Sequence, residues 1–275
     1  MKHTLSLIAV LFVFAFAKAQ KQDRVKGNRE PSVMVTDIEP FQSIELDSDW
    51  EVELMPGEIA SVEINADSNL HQYLEPSSTN GVFRMGTLAE IRSSKKLEIR
   101  ITYTDELTSI ILRDKAEAKS VTKLEIENLD LTLEGDARAY LTIRGESFHL
   151  VAGGGTRSKL DVKTDASLLE IYSNANVEAQ VNGDEMDLRM SNRCDVKLEG
   201  NVNEVTASLK DSAELESKKL TIQRLAISLL NKANATVDVD ETIDLKAEND
   251  AKLYVHNNPA ITLSVFKDKA MIKKE

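Results

Sequence analysis

A short motif of one apolar residue, one turn former and one small residue recurs about every 19 residues through most of this chain. The fragments LEGDARAYL (133–141), MSNRCDVKL (190–198), LKDSAELES (209–217) and AENDAKLYV (247–255) are copies of it. Aligned on the small residue, the copies form a small-residue column with steps of 18 to 21 residues: Ala116, Ala137, Thr156, Ala175, Cys194, Ala213, Ala233, Ala251 and Ala270. A fixed period of this length is typical of stacked repeats, in which each unit buries its apolar side against its neighbours.

Three further columns accompany the small residue. Two residues before it stands a residue that tolerates a tight turn or a left-handed backbone. This turn column consists of Asp114, Gly135, Gly154, Ser173, Asn192, Asp211, Asn231, Asn249 and Asp268. Four residues before the small residue, every position is apolar: Leu112, Leu133, Ala152, Ile171, Met190, Leu209, Leu229, Ala247 and Phe266. Two residues after it, apolar side chains continue, and Ser158 is the exception.

The spacing of apolar residues within each unit indicates strands. In segments such as LDLTLEGD and DVKLEG, apolar and polar residues alternate with period two. Residues 77–258 contain no proline, which suits central strands because these cannot lose a backbone N–H. We therefore predict an all-β fold, a parallel β-solenoid of about 19 residues per turn, with rungs roughly 4.8 Å apart.

The ends of the chain differ from the repeats. Residues 1–19 have the layout of a secretory signal peptide: a basic start, an apolar stretch from Leu5 to Phe16, and a small-x-small site that predicts cleavage between Ala19 and Gln20. This stretch of 12 residues is too short for a membrane anchor, which needs roughly 20. Residues 20–32 are polar and predict a linker. Residues 33–104 keep strand character without the register, and predict an N-terminal β cap or atypical first rungs that include Trp50. Residues 105–275 carry the solenoid repeats.

The charge balance narrows the choice of partners. Without residues 1–19, 32 basic side chains face 46 acidic ones, a net charge of −14. So acidic a surface repels phosphate backbones and anionic headgroups, and predicts neither nucleic acid nor a membrane surface as partner. No other segment is apolar enough to predict a transmembrane span.

Residue types that carry chemistry are sparse. Cys194 is the only cysteine and falls in the small-residue column, which predicts a packed side chain rather than a nucleophile. The four histidines lack metal-ligand spacing, and no cofactor motif occurs, so the sequence predicts no metal site, no cofactor and no catalytic residues. AGGGTRSKL (152–160) lacks the Gly-Lys-Ser/Thr ending of a phosphate loop and predicts a turn.

Two outward-facing columns allow competing interpretations. Lys159, Glu178, Lys197 and Glu216 alternate in sign on successive rungs, which predicts a solvated face held by weak ion pairs. Asp161 and Glu199 share another column two rungs apart, with Gln180 between them. Their predicted separation of about 9.6 Å is close to what glycoside hydrolysis requires, but an acidic chain produces such pairs by chance.

In its repeated turn-and-strand fragments the chain resembles the bacterial head-GIN domain family, also described as the auto-transporter adhesin head domain. The resemblance rests on the turn-and-strand fragments EGDARAYL, GGGTRSKL, SNANVEAQV and SNRCDVKL, on the entry segment 97–118 and on the closing segment 253–274, and it covers roughly residues 40–275. This chain departs from the family in using glycine at only two turn positions, Gly135 and Gly154. The resemblance implies an exported all-β protein with no established activity.

These observations predict an exported protein of the periplasm, cell surface or medium. We expect a non-enzymatic, adhesin-like binding module at the cell envelope, whose ligand is a glycan or a protein. A structural or assembly role, in which the stack serves as a spacer, remains open as an alternative. A polysaccharide-active β-helix enzyme is the second alternative.

Overall fold

A computed structural model describes residues 23–275 of the protein. The predicted signal peptide and its cleavage site at Ala19 and Gln20 lie outside the described residues. The one short helix of the described part is a 3-10 helix at Ser68–Tyr73. The strands are β1 (Asp23–Lys26), β2 (Pro31–Asp37), β3 (Ser43–Leu46), β4 (Glu51–Pro56), β5 (Ser61–Asp67), β6 (Leu74–Thr79), β7 (Val82–Thr87), β8 (Ala89–Ser93), β9 (Leu97–Tyr103), β10 (Ser109–Leu112), β11 (Glu117–Ser120), β12 (Leu124–Glu125), β13 (Asn128–Leu133), β14 (Arg138–Arg144), β15 (Ser147–Ala152), β16 (Arg157–Lys163), β17 (Ala166–Ser173), β18 (Asn176–Asn192), β19 (Asp195–Leu209), β20 (Glu214–Leu229), β21 (Asn234–Ala247), β22 (Lys252–His256), β23 (Ala260–Phe266) and β24 (Met271–Lys274).

The repeats form a parallel β-solenoid, which confirms the predicted fold class. Each rung has an entry strand before the turn column and an exit strand after it. Entry strands stack as β10, β13, β15, β17 and onwards, and exit strands stack as β11, β14, β16, β18 and onwards. All of these pairs are parallel, so residues of one column lie beside each other on neighbouring rungs. We call the two outer surfaces the entry face and the exit face.

The corner between entry and exit strands is the turn column. All nine of its residues have positive φ, from 57° to 80°. Asparagine, aspartate and glycine adopt this left-handed conformation more readily than other residues do. Consecutive corners are bonded to each other: Asn231 donates from Nδ2 to Asp211 Oδ1 at 2.9 Å, and Asn249 donates from Nδ2 to Asn231 Oδ1 at 3.0 Å. Backbone hydrogen bonds therefore link most corners along the stack, and side-chain bonds add to them at the three corners Asp211, Asn231 and Asn249.

The two glycine corners are explained by close backbone contact. A Cβ atom on Gly154 would lie 2.7 Å from the carbonyl oxygen of Gly135, and one on Gly135 would lie 3.0 Å from the backbone of Asp114. The contact at Gly154 is too short for a Cβ unless the backbone moves, and the contact at Gly135 requires a small shift of Asp114. The stacking of the corners therefore favours glycine at both positions.

The small-residue column lies inside each corner. Eight of its nine members are buried with at most 1% of their surface exposed, and Ala270 on the last rung is partly buried. Cys194 takes its place there, and its Sγ–H donates to the carbonyl oxygen of Ile171 at 3.5 Å. Burial raises the pKa of this thiol to about 11. These contacts are those of a packed core side chain.

The stack contains a first rung that lies before the predicted repeats. β3 pairs with β10 and β4 pairs with β11, both in parallel. At the corner of this rung Ser48 has φ 65°, and Trp50 occupies the place of the small residue, since its carbonyl oxygen accepts the N–H of Glu117 at 2.8 Å. After β4 the chain forms the rest of the N-terminal section and rejoins the repeats at β10, so 66 positions separate Trp50 from Ala116, the next member of the small-residue column.

The N-terminal section closes the stack. β7 and β9 add one more parallel layer on the outer side of β3 and β4. Antiparallel strands then cover that layer: β6 pairs with β7, β5 pairs with β9, and β2 pairs with β5. Residues 33–104 therefore contain both a rung and a β cap.

Residues 23–32 differ from the predicted linker. β1 pairs in parallel with β8, and the N–H of Gly27 donates to Ser93 O at 2.8 Å. Asp67 explains why this segment is ordered against the cap. Its carboxylate is fully buried and accepts hydrogen bonds from the backbone N–H groups of Arg29 and Lys95 at 3.2 and 3.0 Å. Hydrogen bonds from Arg29 and Lys95 to this one carboxylate tie residues 23–32 to the cap.

The C-terminal end has no such cover within the described residues. Ile261, Leu263 and Phe266 continue the core columns of β21, but they are 41, 52 and 40% exposed. Two features oppose edge-to-edge pairing with another chain. A β-bulge interrupts β23 opposite Leu245 and Lys246, and Lys274 occupies the inward column that Val255 holds one rung earlier. A charge at this position makes a second sheet an unfavourable neighbour.

The buried thiol predicts chemical protection of Cys194. We expect the native protein to react with a thiol reagent such as Ellman's reagent far more slowly than the urea-unfolded protein, because the side chain is inaccessible and its pKa is about 11. The exposed variant Ser212→Cys, in a Cys194→Ala background, serves as the control and should react rapidly. Fast labelling of native Cys194 would contradict the packed position.

The corner ladder predicts the effect of changing Asn231. Asn231→Ala should lower the free energy of unfolding by about 2 kcal/mol, because alanine costs roughly 1–2 kcal/mol in left-handed backbone and two side-chain hydrogen bonds are lost. Asn231→Gly should cost less, since glycine adopts positive φ freely. Asn203→Ala is the matched control: Asn203 bonds to Asp184 on the preceding rung at 2.7 Å without positive φ. Urea unfolding followed by circular dichroism measures all three, and equal losses for Asn231→Ala and Asn203→Ala would refute the role of the corner.

The exposed end predicts that Lys274 limits self-association. Lys274→Val should raise the concentration-dependent association of the protein, measured by sedimentation velocity, because it completes an apolar column at an open edge. Lys273→Val removes the same charge one residue away, on the outer side of the strand above Tyr254, and should leave association unchanged. An unchanged sedimentation profile for Lys274→Val would show that another feature protects this end.

Candidate functional site

The exit face contains a groove of about 570 Å³ that crosses several rungs. Its walls come from β14, β16, β18 and β19, with Ser120 of β11 at one end. Because four rungs span three rung spacings, the groove runs for about 14 Å along the stack. It is large enough for part of an extended ligand.

Two outward columns form the walls, and the strand register brings each column together. The first column is Tyr140, Lys159, Glu178 and Lys197. The second column is Thr142, Asp161, Gln180 and Glu199. Between them the apolar residues Leu141, Leu160 and Ala179 point inward and are buried. The groove is therefore walled by polar side chains over a closed apolar core.

Asp161 and Glu199 are both held by cations. Arg144 donates from Nη2 to Asp161 Oδ2 at 2.8 Å, and Lys219 donates from Nζ to Glu199 Oε1 at 2.6 Å. Gln180 lies between them, and its side-chain amide makes no hydrogen bond within residues 23–275. The sequence analysis placed Asp161, Gln180 and Glu199 in one column correctly. It did not reveal that Arg144 binds Asp161 and that Lys219 binds Glu199.

The alternating column is only partly ion-paired. Lys197 and Glu216 lie 3.7 Å apart, as the alternation predicts. Lys159 and Glu178 are neighbours in register, but within the described chain neither side chain forms an ion pair or a hydrogen bond. Both remain exposed on the wall of the groove and are available to a ligand.

Tyr140 supplies an aromatic ring at one end of the groove. It is 40% exposed, and Lys119 Nζ lies 5.7 Å from the centre of its ring. Tyr254 has the same environment farther along the same column, with Lys273 Nζ at 5.9 Å, but it lies outside the groove. Tyr172 on the entry face is different, because its ring packs against Gly153, where an added Cβ would lie 2.2 Å from Cε2. The sequence analysis did not single out Tyr140; the signal that could have revealed it is the run of polar residues in register with this ring on the following rungs.

A second charged cluster lies on the entry face. His149 is placed between Asp130 and Glu170, with Nδ1 3.2 Å from Asp130 Oδ1 and Nε2 3.3 Å from Glu170 Oε2. Arg189 and His149 lower the pKa of Glu170 by hydrogen bonding to its carboxylate. Arg189 also bonds to Asp187 at 2.7 Å. The cluster links successive rungs, and its groups are already paired with one another.

Metal-binding geometry is not found in the described part of the chain. No group of three or more histidine, cysteine, aspartate or glutamate side chains in residues 23–275 is arranged to hold a metal ion. The turn-column residues lie at the corner, outside the groove, and contact one another. No helix among the described residues has the length and apolar character to cross a membrane.

Solved structures show the same fold. A "putative adhesin" from Parabacteroides merdae superposes with a TM-score of 0.64 at 16% identity, covering 92% of this chain and 99% of that one. A "putative adhesin" from Parabacteroides distasonis gives 0.65 at 13% identity, with 92 and 100% covered. A "putative lipid binding protein" from the same species gives 0.61 at 13% identity, again with 92 and 100% covered. These identities are low, so the likeness concerns the fold.

The sequence itself matches one known family over most of its length. A search of the curated proteins finds no match. The family described as "Putative auto-transporter adhesin, head GIN domain" matches residues 40–180 and 156–259. The two matched ranges overlap and together span most of the cap, the first rung and most of the solenoid, as the resemblance of the turn fragments predicts. This chain belongs to the head-GIN domain family.

Proposed function

We propose that this chain is an exported, non-enzymatic binding module of the adhesin type at the cell envelope, and that the exit-face groove is its ligand site. The observation that carries the proposal is the groove itself, where an exposed aromatic ring and unpaired polar side chains line one continuous concave surface. Binding sites generally combine such a ring with a few hydrogen-bonding groups that fix the orientation of the ligand. The adhesin family name supports the same role.

The ion pairs favour binding over catalysis. A glycosidase needs one carboxylic acid that can donate a proton and a second carboxylate that acts on the sugar. Asp161 is bound by Arg144 at 2.8 Å and Glu199 by Lys219 at 2.6 Å. Each carboxylate thus already has an ion-pair partner within the protein, whereas hydrolysis needs both groups free to act on the sugar and its leaving group. This pair therefore suits recognition of a ligand better than hydrolysis.

The overall charge favours an external ligand that is not strongly anionic. With its net charge of −12, the protein repels nucleic acid and anionic membranes at long range. Export, as indicated by the signal-like residues 1–19, would place the groove outside the cytoplasm.

A binding experiment tests the proposal against a purely structural role. The purified protein is applied to arrays of glycans and of extracellular matrix proteins, together with the double variant Tyr140→Ala/Gln180→Ala. We expect saturable retention of the parent protein on at least one ligand class and loss of this retention in the double variant. Circular dichroism checks that the variants are folded.

Tyr254→Ala is the matched control for this experiment. It removes an exit-face tyrosine with the same lysine contact but outside the groove, so retention should be unchanged. Retention that survives the groove substitutions would place the site elsewhere. A blank array from the folded parent protein would support the structural role instead.

A further inference from the structure

We infer that the exit-face groove recognises a neutral, extended oligosaccharide that runs along the stack from Tyr140 towards Glu199. This inference rests on the proposed function and adds the chemical class of the ligand. Four properties of the groove lead to it: its charge, its backbone, its lining and its period.

The charges of the groove largely cancel. Its lining holds two cations, Lys159 and Lys197, and three anions, Asp161, Glu178 and Glu199. Arg144 and Lys219, just outside it, neutralise Asp161 and Glu199. A strongly charged ligand needs an excess of opposite charge to be attracted and held. The groove offers no such excess, and it therefore fits an uncharged ligand.

The backbone beneath the groove leaves no place for a peptide strand. A peptide that adds to a sheet needs an edge with unpaired N–H and C=O groups. Each wall strand is paired on both sides: β14 with β11 and β16, β16 with β14 and β18, β18 with β16 and β19, and β19 with β18 and β20. A peptide would have to bind through side chains alone.

The lining also disfavours an apolar ligand. A helical peptide or an acyl chain requires a continuous apolar groove. Here Leu141, Leu160 and Ala179 are only 2, 3 and 6% exposed, so Tyr140 is the one large apolar side chain exposed in the lining. The rest consists of hydroxyl, amide, carboxylate and ammonium groups, which hydrogen-bond to a ligand rich in hydroxyl groups.

The spacing of the rungs indicates that the ligand is an extended oligosaccharide. The same two outward columns offer polar groups at each step of about 4.8 Å. In an extended β-linked glycan, one pyranose unit advances about as far as one rung. Thr142, Gln180 and Glu199 can then contact the first, third and fourth sugar units, while the Tyr140 ring stacks on the apolar face of the first.

Titration of the protein with oligosaccharides of defined length tests the inference. The probes are neutral gluco-, manno- and galacto-oligosaccharides of one to six units, followed by isothermal calorimetry. We expect at least one neutral series to bind, with affinity that rises to about three or four units and then levels off, because the groove spans four rungs. Binding should change little between low and high salt, since no ionic contact dominates.

Single variants assign the contacts. Tyr140→Ala and Gln180→Ala should each weaken binding about tenfold, which corresponds to roughly 1.4 kcal/mol per contact. Tyr254→Ala should leave the affinity unchanged, because that ring lies outside the groove. Circular dichroism of each variant controls for folding.

Comparison probes separate failure of the ligand class from failure of the site. Sulfated and uronic-acid oligosaccharides of matched length and a library of short peptides are titrated in the same way. If charged sugars or peptides bind and Tyr140→Ala weakens them while neutral sugars do not bind, the inferred class is wrong and the groove remains the site. If a ligand binds equally well to the Tyr140→Ala and Gln180→Ala variants, the proposed site is wrong. If none of the probes binds, the inference is overturned.

Discussion

The structure depends on one local constraint, the left-handed corner that every rung places directly above the corner of the rung before it. Backbone with positive φ is unfavourable for most residues, and it recurs here from Ser48 to Asp268. It persists because each corner is bonded to its neighbours through backbone and through side chains such as Asn231. The corner also sets the direction of the next strand. The inward columns on either side of the corner therefore stay in register from rung to rung, and the core is a continuous stack.

A stack of this kind has two ends, and the chain treats them differently. At the N-terminal end, it leaves the solenoid after β4, builds antiparallel strands over the outer layer and returns at β10. This covers the unpaired edges that parallel strands would expose. At the C-terminal end, a bulge in β23 and the inward Lys274 limit pairing without covering Ile261 or Leu263. One end is closed by structure and the other is protected by local features that disfavour pairing.

The sequence revealed the part of the fold that repeats, because the turn column and the inward columns recur at fixed offsets. It left open whether residues 33–104 form atypical first rungs or a β cap, and it did not locate the first rung, although Leu46, Ser48 and Val52 hold the right offsets. Trp50 stands where the other rungs have a small residue, and a long excursion separates this rung from the next. The attachment of residues 23–32 was also not apparent, since it depends on one buried carboxylate, Asp67, distant in sequence. Contacts of this kind have no period by which they can be recognised.

The difference between repeating and non-repeating contacts also explains why the site is harder to predict than the fold. Inward columns must match their neighbours on every rung, so their pattern is strong. Outward columns are free of this requirement and can vary from rung to rung without loss of the core. The column of Asp161, Gln180 and Glu199 was visible in the sequence, but its meaning depended on Arg144 and Lys219, which bind the two carboxylates. With these cations in place, the three residues form part of a nearly neutral polar groove. The solenoid thus separates stability from recognition, because its core fixes the spacing of surface groups while their chemistry remains open to change.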